Sequence, residues 1–251
     1  MGTWISHLRI AEQLLTVLPQ LDETAFIYGN LAPDSGLPNA DWSAFDPPKE
    51  VTHFLRPGED EGRIKDLEFY RGYLAGLAAS DGARFSFVLG YFMHLLCDNL
   101  WSKRIVSASK RDYAQLLAER GREAWGIFKD DWYGLDVIYV RDHPDCSFWR
   151  VLMQTPNPPS YLPFVSAAGL HHQLDHIRQF YSQPDLAWVL GRPYPYLNET
   201  TMTRFVDDAA HALIKIWEQP TRLAQLDHSP SALMLLAPEE LAPYAAPLGD
   251  R

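Results

Sequence analysis

A histidine and an aspartate four residues apart form the clearest chemical signal in the chain. They stand in the string His94-Leu-Leu-Cys-Asp98, within a strongly apolar stretch. Residues at this spacing lie on one face of a helix, so both side chains can reach a single point. An imidazole nitrogen and a carboxylate oxygen held together suit zinc or a similar divalent metal. The alternative is a structural core histidine, with Asp98 bound to a neighbouring backbone group or to Lys103.

The surroundings of Asp98 favour the metal interpretation. The residue is embedded in YFMHLLCDNLW, where an ionised carboxylate is costly unless it is paired or binds a metal. A positive group should therefore lie opposite it. Candidates for this neighbourhood are His7 near the chain start, together with Asp34 and His53 in the strings GNLAPDS and THF. Taken alone, a histidine near a helix start is more often a surface or core residue, and an aspartate after proline is more often a turn residue.

The composition limits both the ligands and the partners. The chain has 251 residues, and 22 basic against 32 acidic residues give a net charge of −10. This balance argues against a nucleic-acid-backbone binder or a polybasic membrane anchor, although it leaves room for a locally basic pocket. The two cysteines exclude a disulfide scaffold and a thiolate zinc finger, so a metal would need histidine and carboxylate ligands.

The remaining patterns predict a helical protein without a membrane span. No stretch reaches the roughly 18 apolar residues that a span needs, and the start lacks the features of a secretory signal, so we expect a cytoplasmic protein. Apolar residues recur at helical spacing in most segments, and no alternating run suits a sheet. Helices are predicted over residues 3–18, 22–31, 66–79, 82–103, 110–132 with a possible continuation over 134–139, 163–182 and 199–218. A long loop is expected after the second helix, and a shorter apolar turn or helix over 147–153.

These elements predict an all-α, single-domain multi-helix bundle. The helix over 82–103 is apolar on most faces, which is typical of a buried central helix. We expect residues 1–220 to form the helical domain. Residues 221–251, rich in Pro and Ala, are expected to be a tail that packs on it or trails from it.

The order of the candidate residues resembles the zinc-dependent phospholipase C family, whose fold is shared with P1-type nucleases. The resemblance rests on SHLRIAE, GNLAPDSG, THF and GYFMHLLCDNLW, over about the first 100 residues. It implies an all-α bundle that hydrolyses phosphodiesters with a cluster of up to three zinc ions. Carried over by position, Asp34, His53, His94 and Asp98 would form one metal site, and Asp98 would bridge to a second metal held by His7.

The chain departs from the family pattern in two places. Secreted members use the amine and carbonyl of a mature N-terminal tryptophan as ligands, whereas Trp4 is internal here. The residues expected to hold a third metal are also missing, and Lys103 and Arg104 stand there instead. Parts of a third site could come from two other clusters. These are Asp130, Asp131 and Asp136 in FKDDWYGLD, and His171, His172, Asp175 and His176 in GLHHQLDHIRQF, although the second also suits a solvated helix face.

The resulting hypothesis is a metal-dependent phosphoesterase with one or two ions, most simply Zn²⁺. Asp34 would orient or deprotonate the attacking water as well as bind metal, and a soluble small-molecule phosphoester is the expected substrate. Aromatic residues that could line its site are Trp42, Phe54, Trp101, Trp132 and Tyr133. The competing hypothesis is a non-catalytic metal-binding or lipid-binding helical protein that kept the scaffold. An HD-type phosphohydrolase is excluded because no adjacent His-Asp pair occurs, and the oligomeric state stays open.

Overall fold

The most apolar helix of the sequence lies at the centre of the molecule. The computed structural model describes residues 1–40, 44–59, 61–183, 189–226 and 228–248, so Trp42 and the end of the predicted tail lie outside the described residues. Helix α5 spans Ala83–Trp101, and every side chain from Ser86 onward is buried. The predicted all-α class is confirmed.

Two N-terminal helices pack against this centre. Helix α1 spans Trp4–Val17 and begins at Thr3, whose hydroxyl accepts the Ser6 N–H. Helix α2 spans Glu23–Leu31 and begins at Asp22, whose carboxylate accepts the Ala25 N–H. Side-chain caps of this kind satisfy amides that a helix start leaves open, which is why both starts were predictable from the sequence.

The segment between α2 and α5 contains short elements rather than a plain loop. A 3₁₀ turn over Ala32–Asp34 is followed by a two-stranded antiparallel sheet, in which Leu37 lies opposite Asp46 and Pro38 opposite Phe45. The strands and helices here are β1 Leu37–Pro38, β2 Phe45–Asp46, α3 Lys49–Thr52 and α4 Asp66–Phe69, with 3₁₀ turns over Glu61–Arg63 and Ala79–Asp81.

Two predicted helix lengths are wrong. The helix expected over 66–79 is α4 followed by a π-helical turn that ends at Leu74, because the glycines of YRGYLAG weaken its last part. The helix expected over 110–132 is broken at Gly121, whose φ of +57° cannot continue a right-handed helix. The chain forms a π-helical turn over Ser102–Val106, α6 Ser107–Asp112, α7 Ala114–Arg120 and α8 Glu123–Asp142.

The C-terminal half closes the other side of α5. The turn or helix expected over 147–153 is a π-helical turn over Phe148–Leu152, and α10 packs on α1. The remaining elements are α9 Ala167–Ser182, α10 Glu199–Trp217, α11 Pro220–Ala224 and α12 Pro238–Leu241, with 3₁₀ turns over Ala232–Leu235 and Ala242–Ala245. In the described part of the chain, no helix has the length and apolar character needed to cross a bilayer.

The last segment is packed on the helices that precede it. Leu223, Leu233 and Leu248 are buried in the same apolar cluster as α5. The buried Asp66 carboxylate accepts the Ala232 N–H at 2.7 Å, which ties this segment to the start of α4. The division into a domain over 1–220 and a tail over 221–251 stays a prediction.

Candidate metal centre

The His94 and Asp98 side chains meet on α5 as their spacing predicts. His94 Nε2 lies 3.3 Å from Asp98 Oδ2, and both side chains are completely buried. On its other side His94 Nδ1 lies 2.7 Å from the Asn30 carbonyl oxygen at the end of α2. A carbonyl can only accept, so Nδ1 carries a proton, and Nε2 is the ring nitrogen that faces Asp98. Metal-binding histidines are held in this way by a second partner.

Helix α1 brings His7 to the same point. The His7 and His94 rings are stacked, with centroids 3.8 Å apart and an interplanar angle of 8°. His7 Nε2 lies 3.3 Å from Asp98 Oδ1. The same carboxylate oxygen accepts the Gly2 N–H at 2.6 Å, so the segment before α1 also contacts the centre. A Cβ at Gly2 would lie 2.9 Å from His7 Nε2, which leaves no room there for a larger residue.

The segment between α2 and α5 supplies the other two candidates. His53 Nε2 lies 3.5 Å from Asp34 Oδ1 and 3.5 Å from Asp98 Oδ2. Its Nδ1 is 2.9 Å from the Thr52 hydroxyl, so this ring is also held from behind. Phe54, with a φ of +53°, turns the chain directly after His53. That conformation is costly for a residue other than glycine, and such strain clusters at functional sites.

Together these atoms form two overlapping groups of possible metal ligands. One group is His7, His94 and Asp98, the other is Asp34, His53 and His94, and the ligand atoms of each lie within 4.8 Å of one another. Several of these enclosed atoms have no hydrogen-bond partner: His7 Nδ1 and Nε2, His53 Nε2, His94 Nε2 and Asp98 Oδ2. Unsatisfied buried polar atoms are costly, and one or two divalent cations would satisfy four of these five. The donor set of imidazole nitrogens and carboxylate oxygens fits zinc.

The electrostatics of the centre favour ionised carboxylates. Burial opposes the charge on Asp98, yet His94 and the other nearby positive groups hold the pKa of that carboxyl well below its usual range. Burial likewise opposes the charge on Asp34, but the adjacent His53 imidazole and the charge of His94 lower the pKa of Asp34 to about 2. Burial and the neighbouring His94 lower the pKa of His7, which keeps that imidazole neutral as metal binding requires.

The centre opens into a cavity at Asp34. The cavity has a volume of about 780 Å³, and Asp34 is the candidate ligand that lines it among the described residues. The side chain of Asp34 is 8% exposed, whereas those of His7, His53, His94 and Asp98 are completely enclosed. A small molecule in the cavity would therefore reach the centre from the Asp34 side.

Two acidic residues predicted as possible additional contacts are engaged elsewhere. Both oxygens of the buried Asp131 are used, one by Arg192 at 2.5 Å and the other by the Tyr196 N–H at 2.8 Å. Asp136 accepts hydrogen bonds from the Thr3 hydroxyl at 2.9 Å and the Tyr181 hydroxyl at 2.6 Å. The structure thus places both in supporting contacts rather than beside the candidate ligands.

The basic and histidine candidates divide between the cavity and the surface. Arg104 donates to the Ala246 carbonyl oxygen at 3.0 Å, and Lys103 is exposed and lies outside the cavity lining. His172 is exposed on α9, whereas His176 lines the cavity with its ring edge against the ring of Trp4, 5.6 Å between centroids. Of these four, His176 is the residue that the fold brings to the site.

Sequence reasoning missed most of the cavity wall. Gln173, Lys129 and Trp125 line it, and nothing in their local strings distinguishes them from ordinary helix residues. Only its spacing could have suggested Gln173 as a cavity residue: it stands three residues before His176 and therefore on the same face of α9. Trp132 and Tyr133, which the sequence did suggest, line the cavity, while Trp101 is buried in the core.

The fold and the site define a class: an all-α protein whose central helix helps to assemble buried His and Asp side chains suited to a divalent metal. Within that class, the family model described as zinc dependent phospholipase C matches residues 6–101. The resemblance predicted from motif order is thereby confirmed over a range that holds all five candidate ligands. No curated protein and no solved structure matches the chain. Family and donor set together indicate zinc as the metal.

Proposed function

We propose that the protein is a zinc-dependent phosphoesterase that hydrolyses a phosphodiester or phosphomonoester with a metal-activated water. One observation carries the proposal: enclosed His and Asp atoms without hydrogen-bond partners converge on a point that opens into a cavity at Asp34. The family match supports the same chemistry, because the zinc dependence and phosphoester hydrolysis of the family require such a centre.

The residues would hold one or two zinc ions between α1, α5 and the segment before α5. His94 contributes to both ligand groups, His7 and Asp98 complete one of them, and Asp34 with His53 completes the other. Bound zinc lowers the pKa of a coordinated water to about 7 and polarises phosphoryl oxygens. Since His94 and His53 are each fixed by a second partner, the ring orientations are set before any ion arrives.

Asp34 has a separate role at the cavity. Its carboxylate is ionised at neutral pH, because its pKa is lowered to about 2, and it borders the space where substrate would lie. An ionised carboxylate accepts a hydrogen bond from water, so Asp34 would orient the attacking water toward the phosphorus atom. The four other candidates are enclosed and would act as ligands only.

The competing hypothesis is a non-catalytic metal protein on the same scaffold. Structural zinc sites are closed by four protein ligands, whereas catalytic sites keep an open position for water or substrate. The large cavity that meets the centre at Asp34 supports catalysis over a closed structural site. The cytoplasmic location stays a prediction.

Hydrolysis of bis(4-nitrophenyl) phosphate by zinc-loaded protein tests the proposal. We expect Asp98→Asn and Asp34→Asn to lower kcat/KM more than about 100-fold, because losing even a second partner of a ligand costs up to that much. Asp145→Asn, which removes an exposed carboxylate from the loop after α8, serves as the control and should keep full activity. Full metal content together with full activity in Asp98→Asn would rule the proposal out.

A further inference from the structure

Gln173 is a buried polar side chain on the wall of the cavity beside the candidate metal centre. It lies on α9, lines the cavity and is 4% exposed. Its side-chain amide takes part in none of the hydrogen bonds of the described residues, yet it is not among their fully enclosed polar atoms. The amide is therefore accessible, and the space that it reaches is the cavity.

An unpaired amide at this depth indicates a ligand group. Buried polar groups in native proteins almost always have a hydrogen-bond partner, which can be ordered water or a ligand. A carboxamide has one acceptor oxygen and two N–H donors, so a partner that satisfies it must both donate and accept. A carboxylate only accepts and an ammonium group only donates, whereas a hydroxyl group does both without charge.

Tyr133 presents a second uncharged polar group to the same cavity. It lies on α8 and is half-buried, and its hydroxyl forms none of the hydrogen bonds of the described residues. Burial and the charges of Asp136 and Asp34 raise the pKa of Tyr133, so this hydroxyl keeps its proton and can donate. The influence of Asp34 also places Tyr133 near the end of the cavity where the metal centre opens.

The rest of the buried wall is uncharged. Trp132 is 3% exposed, and the Trp4 ring centroid lies 6.2 Å from that of Tyr133 and 5.6 Å from that of His176. Burial lowers the pKa of His176, so its imidazole is neutral at neutral pH. Aromatic rings of this kind give a carbon skeleton an apolar surface to pack on. The charged residues that also line the cavity are exposed lysines, an ion-paired glutamate and a candidate ligand: Lys49, Lys110, Lys129, Glu59 and Asp34.

We propose that the substrate is a phosphoester of a polyol, and that hydroxyl groups of the polyol bind Gln173 and Tyr133. This inference rests on the proposed function and names the substrate class of the same site. The scissile phosphate lies at the Asp34 end of the cavity, and the polyol lies between α8 and α9. One hydroxyl donates to Gln173 Oε1 and accepts from the amide of a neighbouring contact or from the Tyr133 hydroxyl, while the carbon atoms of the polyol pack on Trp4.

The test compares two esters that differ only in their hydroxyl groups, on zinc-loaded protein. They are 4-nitrophenyl 2,3-dihydroxypropyl phosphate and 4-nitrophenyl propyl phosphate, which have the same charge and the same leaving group. The propyl chain would displace water from the Gln173 amide and leave it unpaired. We therefore expect kcat/KM to be about 10- to 100-fold higher for the dihydroxypropyl ester.

Variants then locate the preference. Gln173→Met removes the amide at nearly constant length, so it should leave a preference below about threefold while it hydrolyses the propyl ester within about twofold of the wild-type rate. Tyr133→Phe removes a hydroxyl alone and should reduce the preference by about threefold. Gln179→Met changes an exposed glutamine of the same helix outside the cavity lining, and this matched control should keep the full preference.

A second comparison identifies the source of the polyol. Short-chain phosphatidylglycerol and its deacylated form, glycerophosphoglycerol, both carry the glycerol headgroup. Faster hydrolysis of the first would assign a lipid headgroup, and faster hydrolysis of the second would assign a soluble ester. Hydrolysis of neither, by protein that cleaves bis(4-nitrophenyl) phosphate, would contradict the polyol assignment.

Three further results would overturn the proposal. They are equal kcat/KM values for the dihydroxypropyl and propyl esters, a preference that is unchanged in both Gln173→Met and Tyr133→Phe, and a preference that disappears at high salt, where only charge effects are screened. A wild-type protein that hydrolyses none of these esters, bis(4-nitrophenyl) phosphate included, would instead refute the proposed function.

Discussion

Replacing Gly90 with alanine should loosen the contact between α2 and α5 and, through it, weaken metal binding. A Cβ at Gly90 would lie 3.0 Å from the Asn30 backbone nitrogen and closer still to the Phe26 carbonyl oxygen, where 3.4 Å is the start of ordinary contact. Backbone atoms of a helix cannot turn aside as a side chain can, so the two helices must separate.

The size of the effect follows from that separation. Moving the helices apart by about 1 Å would stretch the 2.7 Å contact between Asn30 O and His94 Nδ1 beyond hydrogen-bond range. Losing this second partner should weaken zinc binding about 10- to 100-fold. Overpacking costs about 1–3 kcal/mol and the better helix propensity of alanine returns about 1 kcal/mol, so stability should fall by up to about 2 kcal/mol.

Two assays and one matched variant check this prediction. Urea unfolding of metal-free protein measures the free energy of unfolding, and competition with a chromophoric chelator measures zinc affinity. Gly126→Ala is the control, because Gly126 is also inside a helix but a Cβ there meets nothing within 4 Å. It should gain up to about 1 kcal/mol and bind zinc unchanged. A Gly90→Ala protein that gains stability like the control and keeps wild-type zinc affinity would refute the reasoning.

Two further predictions concern metal removal and pH. Free zinc at about 1,000 times its Kd should stabilise the fold by about 4 kcal/mol, so Tm should be about 8–16 °C higher with zinc than with a chelator; equal Tm values would contradict a metal centre. Burial raises the pKa of Asp136 to about 7, so the folded protein binds a proton that the unfolded chain releases near its ordinary pKa of 3.8. Stability conferred by protonated Asp136 should thus be complete below about pH 4, fall as pH rises toward 7, and stay constant above it. Asp136→Asn, which cannot ionise, should flatten this fall by up to about 4 kcal/mol in urea titrations, whereas parallel pH curves would count against the assignment.

Helices with local signals were the predictable part of the fold. α1, α2 and α10 each begin after a residue whose side chain caps the first turn, Thr3, Asp22 and Asn198, and α1 and α10 also keep an apolar period. Those features act within a few residues and are visible in the sequence. The break at Gly121 was missed because a glycine inside a helical pattern shows no φ until tertiary packing selects it.

The candidate site likewise has a part that the local sequence predicts and a part that only tertiary packing determines. Residues recognised by motif order, from His7 to Asp98, are brought together by the fold, and their role as ligands stays a prediction. The cavity wall depends on how the fold places α3, α6, α8 and α9 around one space, which no local string encodes, so Lys129 and Gln173 emerged only from the structure. For the same reason the sequence could not choose between His172 and His176, which share one face of α9 although only His176 lines the cavity.

Metal content per chain tests the central claim most directly. Elemental analysis of protein at known concentration, after dialysis against metal-free buffer, should find one or two zinc ions per wild-type chain. His94→Ala and Asp98→Ala should each abolish this zinc, because both residues belong to the core of the ligand set, while Asp145→Asn should retain it. Wild-type protein without bound metal after zinc loading, or full zinc in both alanine variants, would contradict the account.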